Sequence, residues 1–205
     1  MMRDCCQLNS MFLICINMTQ AEINSKFVEF VNEAYAAENA AIDRINSRIG
    51  ETPFPEMRQR LEHHLQETIS QQNRLSQIIF KLGGEPTDTK AHLPELKPPM
   101  TLLLKKTIQK TVKSITDDSK GENPLPEELE LLRIKQDIGI EGYEIITYKT
   151  LIEMTQRTPG IDVDLFVPLL KHNLDEEIDM QNWCMNNLPK VVDKLLPTII
   201  SAISR

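Results

Sequence analysis

The chain has 205 residues and a formal net charge of -7, enough for one sizeable domain and too short for two comfortable ones. Its Lys and Arg are scattered, which offers no nucleic-acid surface, and no apolar run approaches the ~20 residues of a membrane span. Few aromatics and scarce Gly, against abundant Leu, Ile, Glu, Lys and Gln, favour helices over strands.

Cys5, Cys6 and Cys15 cluster near the start and Cys184 stands alone. With no C-x-x-C pair, this usage fits a reducing cytoplasm rather than a disulfide framework. Residues 1–18 read as a disordered or mis-assigned N-terminal extension, with Met18 a candidate start. The apolar run Met11–Ile16 is too short for a secretory signal and lacks a small-residue cleavage site.

Thr19 and Glu22 form a T-x-x-E capping box, so a first helix is predicted over 20–49, carried by Ile23, Phe27, Val31, Ala34, Glu38, Ile42 and Ile45. Gly50, Pro53 and Pro55 separate it from a second helix over 55–82, on Met57, Leu61, His64, Thr68, Gln72, Leu75 and Ile78, closed by Gly83-Gly84. The short turn makes the pair an antiparallel hairpin. Residues 85–124, with four prolines, read as a long crossover with one short amphipathic helix near 100–115. That helix is expected to pack on the bundle rather than on a membrane.

Asn123-Pro124 opens a third helix, with Glu127, Glu128 and Glu130 near its positive dipole end. Its stripe is Leu131, Ile134, Ile138, Glu141, Ile145, Tyr148 and Ile152, ending before Pro159-Gly160. A fourth helix from about 164 carries Phe166, Leu169, Asn173, Glu177, Met180, Cys184 and Leu188. Pro189 is expected to end it and begin a separate tail helix within 190–205. The expectation is an all-α, ferritin-like four-helix bundle over 19–189, two hairpins joined by a long crossover, with short extra helices in the crossover and at the C-terminus.

Glu38, Glu141 and Glu177 interrupt apolar stripes on three helices, where an ionised carboxylate is costly unless paired or bound to a metal. His64 and Glu67 share a face of the second helix, as Glu141 and Glu144 do on the third. With residue 52 as the first turn, Glu38 lies fourteen before it and Glu67 fifteen after. With residue 160 as the second, Glu144 lies sixteen before and Glu177 seventeen after. Antiparallel pairing therefore sets Glu38 level with His64 and Glu67, and Glu144 level with Glu177. Carboxylates with an imidazole are the donor set of two-metal bundles, so Glu38, His64, Glu67, Glu141, Glu144 and Glu177 are the candidate ligands of two divalent ions: iron, manganese or zinc. Glu62, His63 and Glu176 are expected to face solvent. Tyr35, Tyr143 and Tyr148 are candidate neighbours of the site.

The segments EAYAAENAAI, EHHLQETISQQNRLSQIIFKLGG, IEGYEIITYKTL and LLKHNLDEEID, in this order, resemble the YciE/YciF family of ferritin-like, stress-associated proteins over residues 20–185. The resemblance implies a ferritin-like fold, a homodimer and a two-metal centre on the same six residues. Two positions depart from the family pattern: Gly142 stands where a histidine is common, and Gln181 where an acidic residue is. The second helix reads H-x-x-E rather than E-x-x-H. Two functions are compatible with this reading: a di-metal protein acting in oxidative or general stress defence, and a non-catalytic structural or interaction bundle. The first predicts bound metal; the second predicts that removing Glu38 or Glu177 leaves stability unchanged or improved.

Overall fold

The computed structural model describes residues 18–92 and 126–203, which form α1 (Gln20–Glu51), α2 (Pro55–Lys81), α3 (Pro126–Arg157) and α4 (Val163–Ile203). The all-α expectation holds, with no strand among the described residues. The expected extension over 1–17, the amphipathic helix at 100–115 and the Asn123-Pro124 opening lie outside the described residues.

Local chemistry sets the helix ends. Thr19 is the N-cap of α1: its hydroxyl accepts the Glu22 N–H at 3.3 Å, while the Glu22 carboxylate accepts the Thr19 N–H at 2.7 Å. The far end of α2 is a Schellman turn. Gly83 takes φ 84°, its N–H reaches Phe80 O at 3.0 Å, and the Gly84 N–H reaches Ile79 O at 3.0 Å. Gly84 also sits where a Cβ would come 2.6 Å from Val28 Cγ1, so α1 closes directly over this turn.

Cross-helix contacts fix the directions. Thr52 and Arg48, at the end of α1, meet Glu130 near the start of α3. Phe27 and Val31, near the start of α1, share a cluster with Leu151 and Ile152 near the end of α3. α3 is therefore antiparallel to α1, and the chain must travel the length of the bundle, about 40 Å, between α2 and α3. The first part of that crossover runs down α1: Asn32 holds the Glu85 carbonyl at 3.0 Å, Asn39 holds the Thr89 carbonyl at 2.8 Å, and the Ala91 N–H reaches Ala36 O at 2.8 Å. This is the ferritin-like connectivity.

One expectation fails. Pro189 does not end the fourth helix; α4 continues to Ile203 with Pro168, Pro189 and Pro197 inside it. Pro189 removes the bond to the Met185 carbonyl, but Met185 is exposed, so water can satisfy that oxygen. Val191 and Leu195 are buried beyond the proline in a cluster with Ile45, Met57 and Leu61. That packing holds the helix past a residue that would break it in isolation.

The core is divided. Phe27, Val31, Leu75, Ile78, Phe166 and Leu170 form one apolar cluster, and Ile45, Met57, Leu61, Ile134, Met180 and Cys184 form another. Between them lies a polar layer containing Glu38, His64, Thr68, Gln71, Glu141, Glu144, Asn173 and Glu177, all buried.

Candidate metal centre

Each helix delivers its part of this layer through the 3.6-residue period. His64, Thr68, Gln71 and Leu75 fall on one line of α2, and Asn173, Glu177, Met180 and Cys184 on one line of α4. The expected register holds. His64 Nε2 stands 3.3 Å from Glu141 Oε2 and 3.7 Å from Glu177 Oε2. Donor atoms of these three residues all lie within 4.8 Å of one another. Glu144 lies within hydrogen-bonding reach of Glu177. Glu38 closes the layer from α1 and accepts a hydrogen bond from the buried Tyr148 hydroxyl.

Glu67 differs from the other five candidates. It is half-buried at the edge, and its Oε2 takes Arg60 Nη1 at 2.8 Å and His64 Nδ1 at 3.0 Å. Its other oxygen is 3.2 Å from His63 Nδ1. Glu67 therefore grips the back of the imidazole and leaves Nε2 turned to the carboxylates, as carboxylates behind metal-binding histidines do.

Within the layer, acceptors outnumber donors. Glu144 Oε1 and Glu177 Oε2 are buried without a well-formed hydrogen bond, and Glu141 Oε2 faces His64 Nε2 only as an ion pair at 3.3 Å. Burial pushes Glu38 up to about 7 despite its Tyr148 bond. Burial, reinforced by neighbouring carboxylates, lifts Glu144 and Glu177 well above the usual range. Burial opposes charge on His64 too, but Glu141, Glu67 and Glu144 outweigh it and hold the imidazole at about 10. His64 in turn overcomes burial at Glu141, which is lowered, and with Arg60 brings Glu67 down to about 2. The folded layer therefore limits its negative charge by holding protons on Glu144 and Glu177, protons that a bound cation would displace.

Sequence reasoning misplaced or missed several members. Gln71, not Gln72, faces the core, and its amide donates to Glu177 Oε1. Of the three tyrosines, only Tyr148 touches a candidate ligand through a hydrogen bond; Tyr143 is exposed and Tyr35 packs on the cluster of Phe27, Val31 and Leu75. Glu62 and His63 are exposed as expected, but Glu176 is half-buried, paired with Arg74 and 3.2 Å from His172 Nε2. Arg74 pulls Glu176 inward across the α2–α4 seam. Also missed was an ion-pair group beside the layer. The buried Arg48 holds Glu130 through both oxygens, at 3.1 and 2.8 Å, and Asp137 Oδ2 at 2.7 Å. Its signal was present in the spacing Glu130, Asp137, Glu141, Glu144, which is one face of a helix.

The model of a domain of unknown function, DUF892, matches residues 22–196. The chain belongs to the DUF892 family. No curated protein shows significant sequence similarity to it. Among solved structures it resembles the Escherichia coli stress protein YciF (20% identity, 84% of this chain and 98% of that one, TM-score 0.57). It also resembles YcfI of Rhodopseudomonas palustris (22% identity, 82% and 93%, TM-score 0.56). The bacterioferritin of Desulfovibrio desulfuricans, whose structure contains a diiron site, is similar at 15% identity over 91% of each chain with a TM-score of 0.60. These likenesses agree with the YciE/YciF resemblance and show the ferritin-like fold; at such identities they show no more than the fold.

In this DUF892 chain the two departures noted in the sequence are physically linked. The Gln181 amide nitrogen lies 2.9 Å from where a Cβ on Gly142 would stand, and donates to the Ile138 carbonyl at 3.2 Å. A histidine at 142 would require the tip of the Gln181 side chain to move aside. Among the described residues, no helix is long and apolar enough to cross a membrane.

Proposed function

We propose that the polar layer binds two divalent metal ions, iron or manganese, and that the protein uses them in oxidative or general stress defence. The observation that carries this reading is the convergence of buried carboxylate oxygens of Glu141 and Glu177 with His64 Nε2, beside a Glu144 oxygen that has no hydrogen-bond partner. Leaving such atoms unpaired costs about 1–3 kcal/mol each, and more when charged. Oxygen-rich donors with one imidazole suit iron, manganese and zinc.

Glu38, His64, Glu141, Glu144 and Glu177 would hold the ions, with Glu67 fixing the imidazole so that Nε2 is the ligating atom. Tyr148 and Gln71 orient Glu38 and Glu177 through their second oxygens. The two flanking apolar clusters keep water from competing. Bound iron or manganese would supply one-electron redox chemistry. The ferritin-like fold, seen with a diiron site in bacterioferritin, and the description of YciF as a stress protein support the assignment. A homodimer belongs to the same proposal, and sedimentation equilibrium reads it directly.

The test is metal analysis of protein purified under reducing, metal-replete conditions. About two ions per chain are expected, falling to trace amounts in His64→Ala. Protein that holds no metal and melts at the same temperature with and without iron or manganese would refute the reading.

A further inference from the structure

The helix α3 is apolar on two sides. Ile134, Ile145, Tyr148 and Ile152 are buried toward the bundle, yet Tyr143 and Ile146 are 59% and 64% exposed, more than any other large apolar side chain among the described residues. Both sit in the middle of the helix, away from its ends. The outer face of α1 offers nothing similar: past the first turn its exposed positions carry no large apolar side chain, and the crossover runs over Ala36.

The same face of α3 carries two glycines that the chain itself does not explain. Gly139 and Gly142 lie inside the helix, where glycine is weaker than alanine, and neither has a positive φ. A Cβ on Gly139 would meet nothing within 4 Å, and one on Gly142 would meet only the flexible tip of Gln181. There is room for side chains here within the chain. What a glycine at an exposed helix position admits is the close approach of another backbone from outside.

Register points to the partner. Lys135, Gly139, Gly142, Ile146, Lys149 and Glu153 follow at intervals of four and three, the spacing of a seam between two long helices. Laid antiparallel on a second copy, about a point between Gly142 and Ile146, each Ile146 would face a Gly142 and each Lys149 stem a Gly139. Lys135 at each end would then meet Glu153 of the second copy. A parallel alignment would instead set lysine on lysine. Glu153 already pairs with Arg157 on its own helix, but both are exposed, and a surface pair of this kind holds the carboxylate only weakly.

We infer that this outer face of α3 is the contact between two copies of the chain, packed antiparallel about a two-fold axis. The inference rests on the homodimer proposed above and assigns its surface, on the back of the stretch whose front carries Glu141 and Glu144. Each copy contributes one helix face about 27 Å long, so the contact is small and the dimer should dissociate in the micromolar range.

Sedimentation of the full chain over a dilution series, with a reductant that keeps its cysteines from cross-linking, reads the dissociation constant. Ile146→Glu should raise it at least about tenfold, because two like charges would be driven into the contact. The melting temperature of the dilute variant should hold, since Ile146 packs little within its own chain. Lys135→Glu and Glu153→Lys should each raise the constant at least about threefold, and the double exchange should return it to within about twofold of wild type. That exchange carries the test if Ile146→Glu does not fold. A wild-type dimer that Ile146→Glu leaves intact overturns the assigned surface and spares the homodimer. A double exchange as weak as the single variants also overturns it, because the antiparallel register would be wrong. Wild-type chain that stays monomeric at every concentration overturns the homodimer and this inference together.

Discussion

Glu177→Gln should raise the stability of the metal-free protein and lower that of the metal-loaded one. Glu177 is fully buried; one oxygen accepts from the Gln71 amide and the other faces Glu141 and Glu144 without a donor. An amide of the same shape keeps the Gln71 bond and brings N–H groups to the unpaired oxygens. Replacing a group that must either repel its neighbours or hold a proton by one that is always neutral and always a donor is worth about 1–3 kcal/mol. For a chain of this size that is roughly 2–10 °C in melting temperature. Metal reverses the order. At about a hundredfold excess over Kd, binding stabilises the wild type by about 2.7 kcal/mol, a gain that a variant lacking this ligand forgoes. Calorimetry after chelation, and again after anaerobic addition of Fe(II) or of Mn(II), measures both. A variant less stable than wild type in chelator, or one that gains as much as wild type from metal, would refute the reasoning.

The metal-free protein should lose stability as pH rises from 5 to 8. Glu38 at about 7, together with Glu144 and Glu177, which burial also lifts well above the usual carboxylate range, keeps protons that the unfolded chain releases near pH 4.5, so the folded state binds more protons across this window. Glu38 alone accounts for roughly 3 kcal/mol. His64, held at about 10, acts in the same sense, its contribution intact below 6.5 and lost as pH climbs toward 10. Glu67, at about 2, acts oppositely: its contribution is intact above pH 4.5 and is lost only as pH falls toward 2. Melting in chelator at pH 5, 6.5 and 8 checks the trend, and metal affinity should rise over the same range because ions displace those protons. Arg48→Met strands the buried Glu130 and should cost about 3–5 kcal/mol in urea denaturation, much of it recovered when Glu130→Met is added. Tyr148→Phe removes the donor on Glu38 and should weaken metal binding at least about tenfold in a chelator competition, with an unchanged value ruling out an orienting role.

The sequence by itself determined the four helices, their antiparallel pairing and the six candidate residues. Those features rest on local chemistry: a capping box at Thr19, glycines after Leu82, and a 3.6-residue period in which charged residues at Glu38, Glu141 and Glu177 stand out. Register followed from counting residues back from two turns, since antiparallel helices rise equally per residue. Tertiary structure decided what depends on the neighbour rather than on the chain. Pro189 lies inside α4 because Val191 and Leu195 pack on α1 and α2, an energy invisible to local propensity. Glu67 turned out to be engaged by Arg60 and both histidines, whereas Glu144 is fully buried, and spacing alone could not tell them apart. The partnerships of Arg48 with Glu130 and of Gln71 with Glu177 join residues far apart in the chain. Polar residues on a helix face carry no label saying what they face; only the packed bundle supplies it.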